Sequence, residues 1–462
     1  MNFTMIRNWV GQIGDKEFYE ACDRHGIMVW QDFWLANPVD GPNPYYTEMF
    51  NANACDYLKR IRNHPSIGIY VGRNEGNPPA GIDDYLRGLV FREHPGLYYI
   101  SNSAMGVVSG GGPYRALSPK SYFQSYGHDK FHSERGMPNV MNYESMLLTF
   151  GTDKIEPVNT SETPNPVYGL HDYTLGGGKG SSAQAASSFN DMIEKAFGRP
   201  RDAKQFAEWA QWINYDGYRA IFEGRSEHRR GMLLWMSHSA WPSMVWQTYD
   251  YYFDPNAAYF GCKKASEPLH IQWNPLRDDI EVVNYHAFDR TGLTATASLF
   301  NQDGTLQWTR ETKLDIKEDQ TVACFPLEQP ETLSDTYFIK LSLTDSDGKQ
   351  LSDNFDWRGK EDGNYKSLLQ LPKVSVCKNV TVKKTGKEWL IRAVLKNEAR
   401  TPALMLRLKV AGEKSGRMLL PVFYSDNYFS LLPGEVKEVD IRLYDADTYG
   451  EKPVLEVLGF NL

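Results

Sequence analysis

The sequence predicts an α/β barrel followed by two all-β domains, and three observations support this prediction. From residue 1 to about residue 266, short apolar runs alternate with longer amphipathic stretches. This alternation predicts parallel strands joined by helices, as in a (β/α)8 TIM barrel. From about residue 267 the pattern changes to short alternating runs separated by turn signals, which predicts two immunoglobulin-like β-sandwiches at 267–360 and 361–462. Only seven strands can be counted in the barrel region, so about one βα unit is missing.

The seven barrel strands are predicted at 2–9, 27–33, 67–71, 97–101, 122–126, 131–134 and 231–236. Helices are predicted between them, including one that Asp15 caps and Gly26 ends, and a long one at 203–223. Residues 151–202 are rich in Gly, Ser, Pro and Asn, and they are interpreted as a long loop over the barrel mouth. Within them, GGGKG at 176–180 lacks the spacing of a phosphate-binding loop and is interpreted as a flexible loop.

Charge and cysteine content limit the kinds of partner, metal and cofactor that the chain is expected to bind. The chain has 50 basic and 58 acidic residues without a basic block, so neither nucleic acid nor a membrane surface is expected as a partner. No apolar run reaches the 18 or so residues of a membrane span. The cysteines form no CxxC pair and are interpreted as isolated thiols, so we expect no metal and no cofactor. They are Cys22, Cys55, Cys262, Cys324 and Cys377.

Polar residues follow several of the predicted strands, where a barrel places its active site. Two of them, Glu75 and Glu134, are candidates for paired catalytic carboxyls, because glycoside cleavage with retention needs two carboxyl groups about 5–5.5 Å apart. Their placement permits convergence without establishing it, since a Glu after a buried strand is often a helix cap or a surface residue. The aromatic content of 13% fits either a large core or stacking surfaces for sugar rings.

The segments around the two glutamates resemble glycoside hydrolase family 2. RNHPSIGIYVGRNEG is similar to the acid/base segment of that family, which implies that Glu75 is the acid/base and that Asn74 binds the sugar near its 2-hydroxyl. FHSERGMP is similar to the nucleophile segment and implies that Glu134 is the nucleophile. MIRNW resembles the second barrel strand, which implies that Arg7 lies beside the nucleophile, where a cation would keep a carboxylate ionised.

Further residues are candidates for substrate binding. The resemblance implies that Trp235 and Trp241 form the floor and wall of the −1 sugar site, with core packing as the alternative. Asp32 follows a buried strand and could bind sugar hydroxyls or cap the next helix, and Tyr114 could supply an aromatic wall. The complete set of substrate-binding candidates is Arg7, Trp9, Asp32, Trp34, Asn74, Tyr114, Trp235 and Trp241.

Within the family, the chain resembles the branch of β-mannosidases, exo-β-glucosaminidases and plant endo-β-mannosidases. This resemblance rests on EFYEACDRHGIMVWQDFW, WMSHSAWPSMVWQTYDYY, YFGCKKASEPLHIQWN and PVFYSDNYFSLLPGE. Exo-β-glucosaminidases of the group can carry Asp in the acid/base place, whereas this chain carries Glu75, so β-mannosides are the favoured substrates. The alternatives are a β-glucosaminidase, a β-galactosidase or an inactive carbohydrate-binding remnant.

The resemblance also implies domains that the sequence does not contain. Members of the family typically begin with two β-domains, whereas this chain opens in what looks like the second barrel strand. Two explanations fit: an N-terminally truncated chain, which we favour, or a half-enzyme completed by another chain. We expect an open barrel edge, poor solubility or weak activity of the chain alone, and recovery when the upstream segment is supplied. The compartment is left open, although a periplasmic or secreted location would suit a full-length protein of this kind.

Overall fold

A computed structural model of the chain describes residues 1–39, 41–125, 130–175, 181–227 and 230–462, and residues 181–185 and 227 by their backbone only. The first region is an α/β barrel in which strands and helices alternate. Its elements are β1 (Met5–Asn8), α1 (Lys16–His25), β2 (Met28–Asp32), α2 (Thr47–Ile61), β3 (Ile67–Arg73), α3 (Ala80–Glu93), β4 (Tyr98–Asn102), β5 (Val108–Ser109), α4 (Pro119–Gln124), β6 (Phe131–Arg135), α5 (Tyr143–Phe150), α6 (Pro166–Leu170), α7 (Ser181–Phe197), α8 (Ala203–Glu223), β7 (Met232–Leu234) and α9 (Ala257–Ala265).

All seven barrel strands are parallel to their neighbours. They form a four-stranded sheet in the order β1-β2-β3-β4 and a three-stranded sheet in the order β5-β6-β7. One apolar cluster fills the space between the two sheets, and every strand contributes to it. The cluster contains Met5, Trp30, Ile69, Val71, Ile100, Val108, Phe131 and Leu233. The predicted barrel is therefore confirmed, with seven strands among the described residues, although its fifth strand is β5 and not the predicted segment at 122–126. Its interior is a packed core as in complete barrels.

A groove separates β7 from β1. These two strands share no hydrogen-bonded register in the described part of the chain, and an opening of about 670 Å³ lies between them. Its lining is mainly apolar and includes Phe3, Met5, Leu234 and Tyr259 from the barrel and Phe423 from the C-terminal sandwich.

Two sequence predictions in the barrel region are wrong. Residues 122–125 are not a strand, because Ser118 accepts a hydrogen bond from the Ser121 amide and starts α4 with Pro119 in its first turn; the predicted end of that strand, Tyr126, lies outside the described residues. The fifth strand is instead β5. The predicted loop at 151–202 contains α6 and the whole of α7, whose buried Phe189 and Ile193 pack against the core at helical spacing. The GGGKG stretch at 176–180 lies outside the described residues.

Two antiparallel β-sandwiches follow the barrel. The strands of the first are β8 (Leu269–Asn274), β9 (Asp279–Asn284), β10 (Arg290–Asn301), β11 (Leu306–Ile316), β12 (Gln320–Pro326), β13 (Thr336–Thr344) and β14 (Gln350–Gly359). Those of the second are β15 (Val376–Thr385), β16 (Glu388–Asn397), β17 (Ala403–Gly412), β18 (Phe423–Tyr424), β19 (Phe429–Leu431), β20 (Val436–Tyr444) and β21 (Pro453–Leu458). Each sandwich packs a four-stranded sheet on a three-stranded sheet around its own apolar core.

The first sandwich is joined to α8 by a buried network of charges. Arg219 of α8 donates to Asn354 Oδ1 at 2.8 Å and pairs with Asp356, and Arg358 pairs with Asp216 of α8 at 3.0 Å. Removing one partner of such a buried pair typically costs about 3–5 kcal/mol, because the other charge is left without compensation. The network therefore fixes the first sandwich rigidly against the barrel.

The second sandwich contacts two segments of the barrel, one that follows β6 and one that follows β7. Arg407 of β17 pairs with Glu144 of α5 at 2.8 Å and with Asp254, after β7, at 3.2 Å. Tyr428 donates to Asn142 Oδ1 at 2.7 Å. Burial of Glu144 opposes its ionisation, but the charges of Arg407 and Lys409 outweigh burial and hold the pKa of Glu144 at about 2. The C-terminal domain thus braces the loops that follow β6 and β7.

A buried carboxyl in this region gives the fold a testable pH dependence. Burial, together with the nearby Asp254, raises the pKa of Asp250 to about 7. In the unfolded chain Asp250 loses its proton near pH 4, so the folded state is progressively destabilised as the pH rises from about 4 to about 7. Asp250→Asn is neutral at every pH and escapes this loss. We expect the difference in unfolding free energy between variant and wild type to grow by about 2–3 kcal/mol in favour of the variant as the pH rises from 5 to 8. Chemical denaturation at both pH values measures this difference, and parallel pH profiles of the two proteins would contradict it.

The cysteines are all free thiols, as expected from their spacing. Cys22 and Cys262 are buried, Cys55 and Cys324 are half-buried, and Cys377 is exposed. In the described ranges, no helix combines the length and the apolar character that crossing a membrane requires.

Candidate active site

The two glutamates lie at the carboxyl-terminal mouth of the barrel, where parallel strands present their functional residues. Glu134 is the fourth residue of β6, and Glu75 follows β3 by two residues. Glu75 has a φ of +46°, a left-handed conformation that L-residues adopt at a steric cost, and its N–H donates to Ser103 Oγ at 2.9 Å. Backbone strain of this kind is found disproportionately at functional sites.

The hydroxyl of Tyr114 bridges the two glutamates. Tyr114 Oη donates to Glu134 Oε2 at 2.5 Å and lies 3.4 Å from Glu75 Oε1. These two carboxylate oxygens therefore cannot be farther apart than both distances combined, about 5.9 Å. This upper limit is compatible with the 5–5.5 Å or so of retaining enzymes and lies below the 6.5–9.5 Å or so of inverting enzymes. Burial and the charge of Glu134 raise the pKa of Tyr114, so its hydroxyl stays protonated and remains a donor.

Arg7 binds the nucleophile candidate and the residue beside the acid/base candidate. Its Nη1 donates to Glu134 Oε1 at 2.5 Å, and its Nη2 donates to Asn74 Oδ1 at 2.7 Å. Burial disfavours the guanidinium charge, but the negative charges of Asp32 and Glu134 outweigh burial and raise the pKa of Arg7. The guanidinium therefore stays charged and donates a charge-assisted hydrogen bond to Glu134.

Asp32 holds Arg7 in place. Its carboxylate accepts hydrogen bonds from Arg7 Nη2 at 2.7 Å, Trp30 Nε1 at 2.7 Å and the Val10 amide at 3.0 Å, and it is fully buried. The sequence left open whether Asp32 binds sugar or caps a helix. The geometry favours neither role, because its oxygens are committed to fixing the arginine.

An aromatic surface lies beside the carboxyls. Trp9 packs edge-on against Trp235, with ring centroids 5.1 Å apart, and Tyr114 packs edge-on against Trp246 at 5.5 Å. The ends of β6 and β7 approach each other closely here. The gap is so narrow that a side chain at Gly136 would collide with the Trp235 carbonyl. Trp9 Nε1 is buried and has no hydrogen-bond partner among the described residues.

Two aromatic candidates lie apart from this surface. Trp34 is half-buried and packs against Phe50 and Tyr57 with centroid distances of 6.0 and 5.0 Å, so core packing is favoured for it over sugar contact. Trp241 is 44% exposed and stacks on His171 at 5.9 Å, outside the contacts that join the other site residues.

Sequence reasoning missed two residues of the site. Trp246 lies in a segment with two other tryptophans, Trp235 and Trp241, which were predicted to contact the sugar. Spacing alone does not distinguish among the three. Ser103 contacts the residues on both sides of the Asn74–Glu75 peptide, since its Oγ accepts from the Glu75 amide and donates to Asn74 Oδ1 at 3.2 Å. Its position directly after β4 was the available signal.

Comparison with known proteins places this geometry among glycosidases. Over an alignment of 577 positions, gaps included, the chain is 26% identical to a mannosylglycoprotein endo-β-mannosidase of Lilium longiflorum, covering 100% of this chain and 60% of that protein. It is 28% identical to an exo-β-D-glucosaminidase of Amycolatopsis orientalis, covering 98% of this chain and 48% of that protein. The chain is a homologue of the mannosidases and exo-β-glucosaminidases of glycoside hydrolase family 2. It spans about half to three fifths of the length of these relatives.

Solved structures and a domain family agree with the fold. The crystal structure of the Amycolatopsis orientalis exo-chitosanase matches with a TM-score of 0.86 at 24% identity, covering 100% of this chain and 59% of that one. A β-D-mannosidase from Dictyoglomus thermophilum matches with a TM-score of 0.77 at 20% identity, covering 99% and 56%. Residues 354–462 match the exo-β-D-glucosaminidase Ig-fold domain. The predicted barrel followed by immunoglobulin-like domains is thereby confirmed.

Among the described residues, no group of three or more His, Cys, Asp or Glu side chains could hold a metal ion.

Proposed function

We propose that this chain forms the catalytic part of a retaining β-glycoside hydrolase that acts on β-mannosides of oligosaccharides or glycans, with β-glucosaminides as the alternative substrates. The observation that supports this most is the Glu75–Glu134 pair, whose bridged oxygens lie within the limit of about 5.9 Å, below the separation typical of inversion.

In the first step, a carboxylate oxygen of Glu134 attacks the anomeric carbon and forms the glycosyl–enzyme ester. The bond from that carbon to the leaving-group oxygen breaks, and the oxygen takes its proton from Glu75. In the second step, water attacks the anomeric carbon and gives a proton to Glu75, and the ester bond to Glu134 breaks. Two inversions at one carbon give net retention.

The neighbouring residues prepare the nucleophile and the sugar. Arg7 and Tyr114 each donate to one oxygen of Glu134, which fixes the direction of the carboxyl group. Asn74 is assigned to the sugar hydroxyl next to the anomeric carbon, and Asp32 to the orientation of Arg7. Trp235 forms the floor of the sugar site, and the unpaired Nε1 of Trp9 is a donor for a sugar hydroxyl.

The choice of sugar rests on the relatives and on the acid/base residue. The names of the relatives indicate mannosides and glucosaminides. Because exo-β-glucosaminidases of this group can carry Asp in the acid/base place and this chain carries Glu75, we favour mannosides.

A panel of p-nitrophenyl β-glycosides tests this assignment. We expect the β-mannoside to give the highest kcat/KM and the β-glucosaminide to be second, with ¹H NMR revealing the β-anomer as the first product. A first-formed α-anomer would contradict retention, and turnover of none of the glycosides would favour an inactive carbohydrate-binding remnant.

Tyr114→Phe isolates the bridging hydroxyl, because the ring and its packing on Trp246 are kept. A hydrogen bond to a charged group is worth about 1.5–3 kcal/mol, so we expect kcat/KM for the preferred aryl glycoside to fall roughly 10–100-fold. Tyr98→Phe, on an exposed tyrosine at the start of β4, is the matched control. Equal activity of the two variants would show that the bridge is dispensable.

The groove between β7 and β1 supports a further proposal, that an additional strand parallel to both completes the working barrel. Without it, the ends of β1 and β7 that hold Arg7 and Trp235 are free to move apart, which would misplace the groups around Glu134. We expect fusion of the first barrel strand and helix of a relative ahead of Met1 to raise kcat at least tenfold. A fusion of the same length with the strand residues scrambled is the control, and an equal gain from both fusions would contradict the proposal.

A further inference from the structure

The loop between β2 and α2 is held against the acid/base candidate by Arg73. This side chain is buried, and its three nitrogens donate to the Ala36 carbonyl at 2.7 Å, to Asn43 Oδ1 at 2.6 Å and to the Gly41 carbonyl at 3.0 Å. Arg73 is the last residue of β3 and precedes Glu75 by two positions. A buried guanidinium that uses all its branches on one loop fixes the position of that loop relative to the end of β3.

The same loop touches the residue that follows Glu75. The Pro38 ring lies so close to Gly76 that a side chain at Gly76 would overlap Pro38 Cγ. The loop therefore contacts residues on both sides of Glu75 in the chain, Arg73 before it and Gly76 after it. In the proposed reaction the acid/base gives its proton to the leaving oxygen, so the leaving sugar must lie on the side of Glu75.

Two aromatic rings are exposed where this loop ends. Tyr45 is 90% exposed and Tyr46 is 66% exposed, and their centroids lie 5.0 Å apart with the rings nearly perpendicular. They follow Asn43, which Arg73 holds, and directly precede α2. Tyrosine combines an apolar ring with a polar hydroxyl, so it can stack on the C–H face of a sugar and bond its hydroxyls at little entropic cost.

We propose that the loop held by Arg73 forms the leaving-group subsite, with Tyr45 and Tyr46 as the surface on which a pyranose of the leaving saccharide stacks. This inference rests on the proposed function. It predicts that the enzyme prefers substrates that carry a second sugar on the reducing side of the cleaved bond, in addition to the sugar that is transferred to Glu134.

Substrates with and without a leaving sugar test the proposal. β-1,4-Mannobiose places a pyranose in the subsite, whereas β-D-mannosyl fluoride releases only fluoride and leaves the subsite empty. The measured quantity is the ratio of kcat/KM for mannobiose to kcat/KM for the fluoride. We expect this ratio to fall about tenfold in Tyr45→Ala and in Tyr46→Ala, because binding energy from a remote ring is expressed in kcat/KM. If the glycoside panel favours glucosamine, the corresponding glucosaminyl disaccharide and fluoride replace the two probes.

Phe91→Ala is the matched control, because Phe91 is an equally exposed aromatic residue, at 81%, on α3. We expect it to leave the ratio at the wild-type value. If wild type cleaves the fluoride and both tyrosine variants keep the wild-type ratio, the subsite assignment is overturned while the proposed function stands. If wild type cleaves neither substrate, the proposed function fails and the subsite fails with it.

Discussion

Replacing Glu134 with Ala is expected to lower kcat on the preferred aryl glycoside by roughly 10⁶-fold, the order seen when a covalent nucleophile is removed. The variant has no group that can form the ester, and it leaves the Arg7 guanidinium without the partner that lies 2.5 Å away in the wild type. Steady-state kinetics with a leaving group of low pKa measures the loss, since chemistry then limits the rate.

Azide separates loss of the nucleophile from loss of the fold. A small anion can enter the space vacated by the Glu134 carboxylate beside Arg7, and we expect it to restore part of the activity and to give the α-glycosyl azide. Glu144→Ala removes a carboxylate of α5 that also pairs with an arginine, Arg407, and should not gain activity with azide. Wild-type turnover by Glu134→Ala would exclude Glu134 as the nucleophile.

Replacing Glu75 with Gln is expected to have an effect that depends on the leaving group. A general acid contributes about 10²–10⁴-fold, and the contribution is largest for leaving groups that need a proton. We therefore expect kcat/KM to fall by about 10³-fold for the methyl β-glycoside and by less than tenfold for the 2,4-dinitrophenyl β-glycoside. Gln keeps the size of the side chain and suits the same backbone, whose φ of +46° strains Glu and Gln alike.

The rescue chemistry of Glu75→Gln differs from that of Glu134→Ala. Azide attacking the glycosyl–enzyme should give the β-glycosyl azide, since the second displacement restores the original configuration. A loss that is equal for both leaving groups would indicate that Glu75 positions the sugar and does not donate the proton.

The barrel could be predicted from sequence where its elements are long and strongly patterned. The helix α1 begins after Asp15 and stops before Gly26, which has a φ of +65°, so both predicted ends are confirmed, although the Asp15 side chain makes no capping hydrogen bond. β5 was missed because two residues cannot display a periodic pattern, and the apolar residues at 122–125 were assigned to a strand although Ser118 and Pro119 carried the signal of a helix start.

The prediction of a long loop at 151–202 was wrong for a different reason. Gly, Ser and Ala are common near the start of α7, and they masked the helical spacing of the apolar residues farther along it. The helix is stabilised by packing of Phe189, Ile193 and Phe197 in the core that surrounds α8, a tertiary contribution that local composition does not reveal.

For the site, the sequence indicated the two carboxyls but could not assign their neighbours. Asp32 ends β2 and Asn74 follows β3, and both accept a hydrogen bond from Arg7. Asp32 also accepts from Trp30 and Val10, whereas Asn74 also accepts from Ser103. This difference depends on how β1, β2 and β3 lie side by side. The place of Trp246 likewise depends on the loop after β7, whose course is set by long-range contacts such as the Asn139 amide to the Val245 carbonyl at 2.7 Å.

Trapping of the glycosyl–enzyme tests the central assignment most directly. Incubation with 2-deoxy-2-fluoro-β-D-mannosyl fluoride, or its glucosyl analogue if the panel favours that series, followed by proteolysis and mass spectrometry, locates the labelled residue. Glu134 in the peptide around FHSERGMP should carry one fluoroglycosyl group, and Glu134→Ala should carry none. A label on Glu75 or on any other carboxyl, with Glu134 unmodified, would contradict the account.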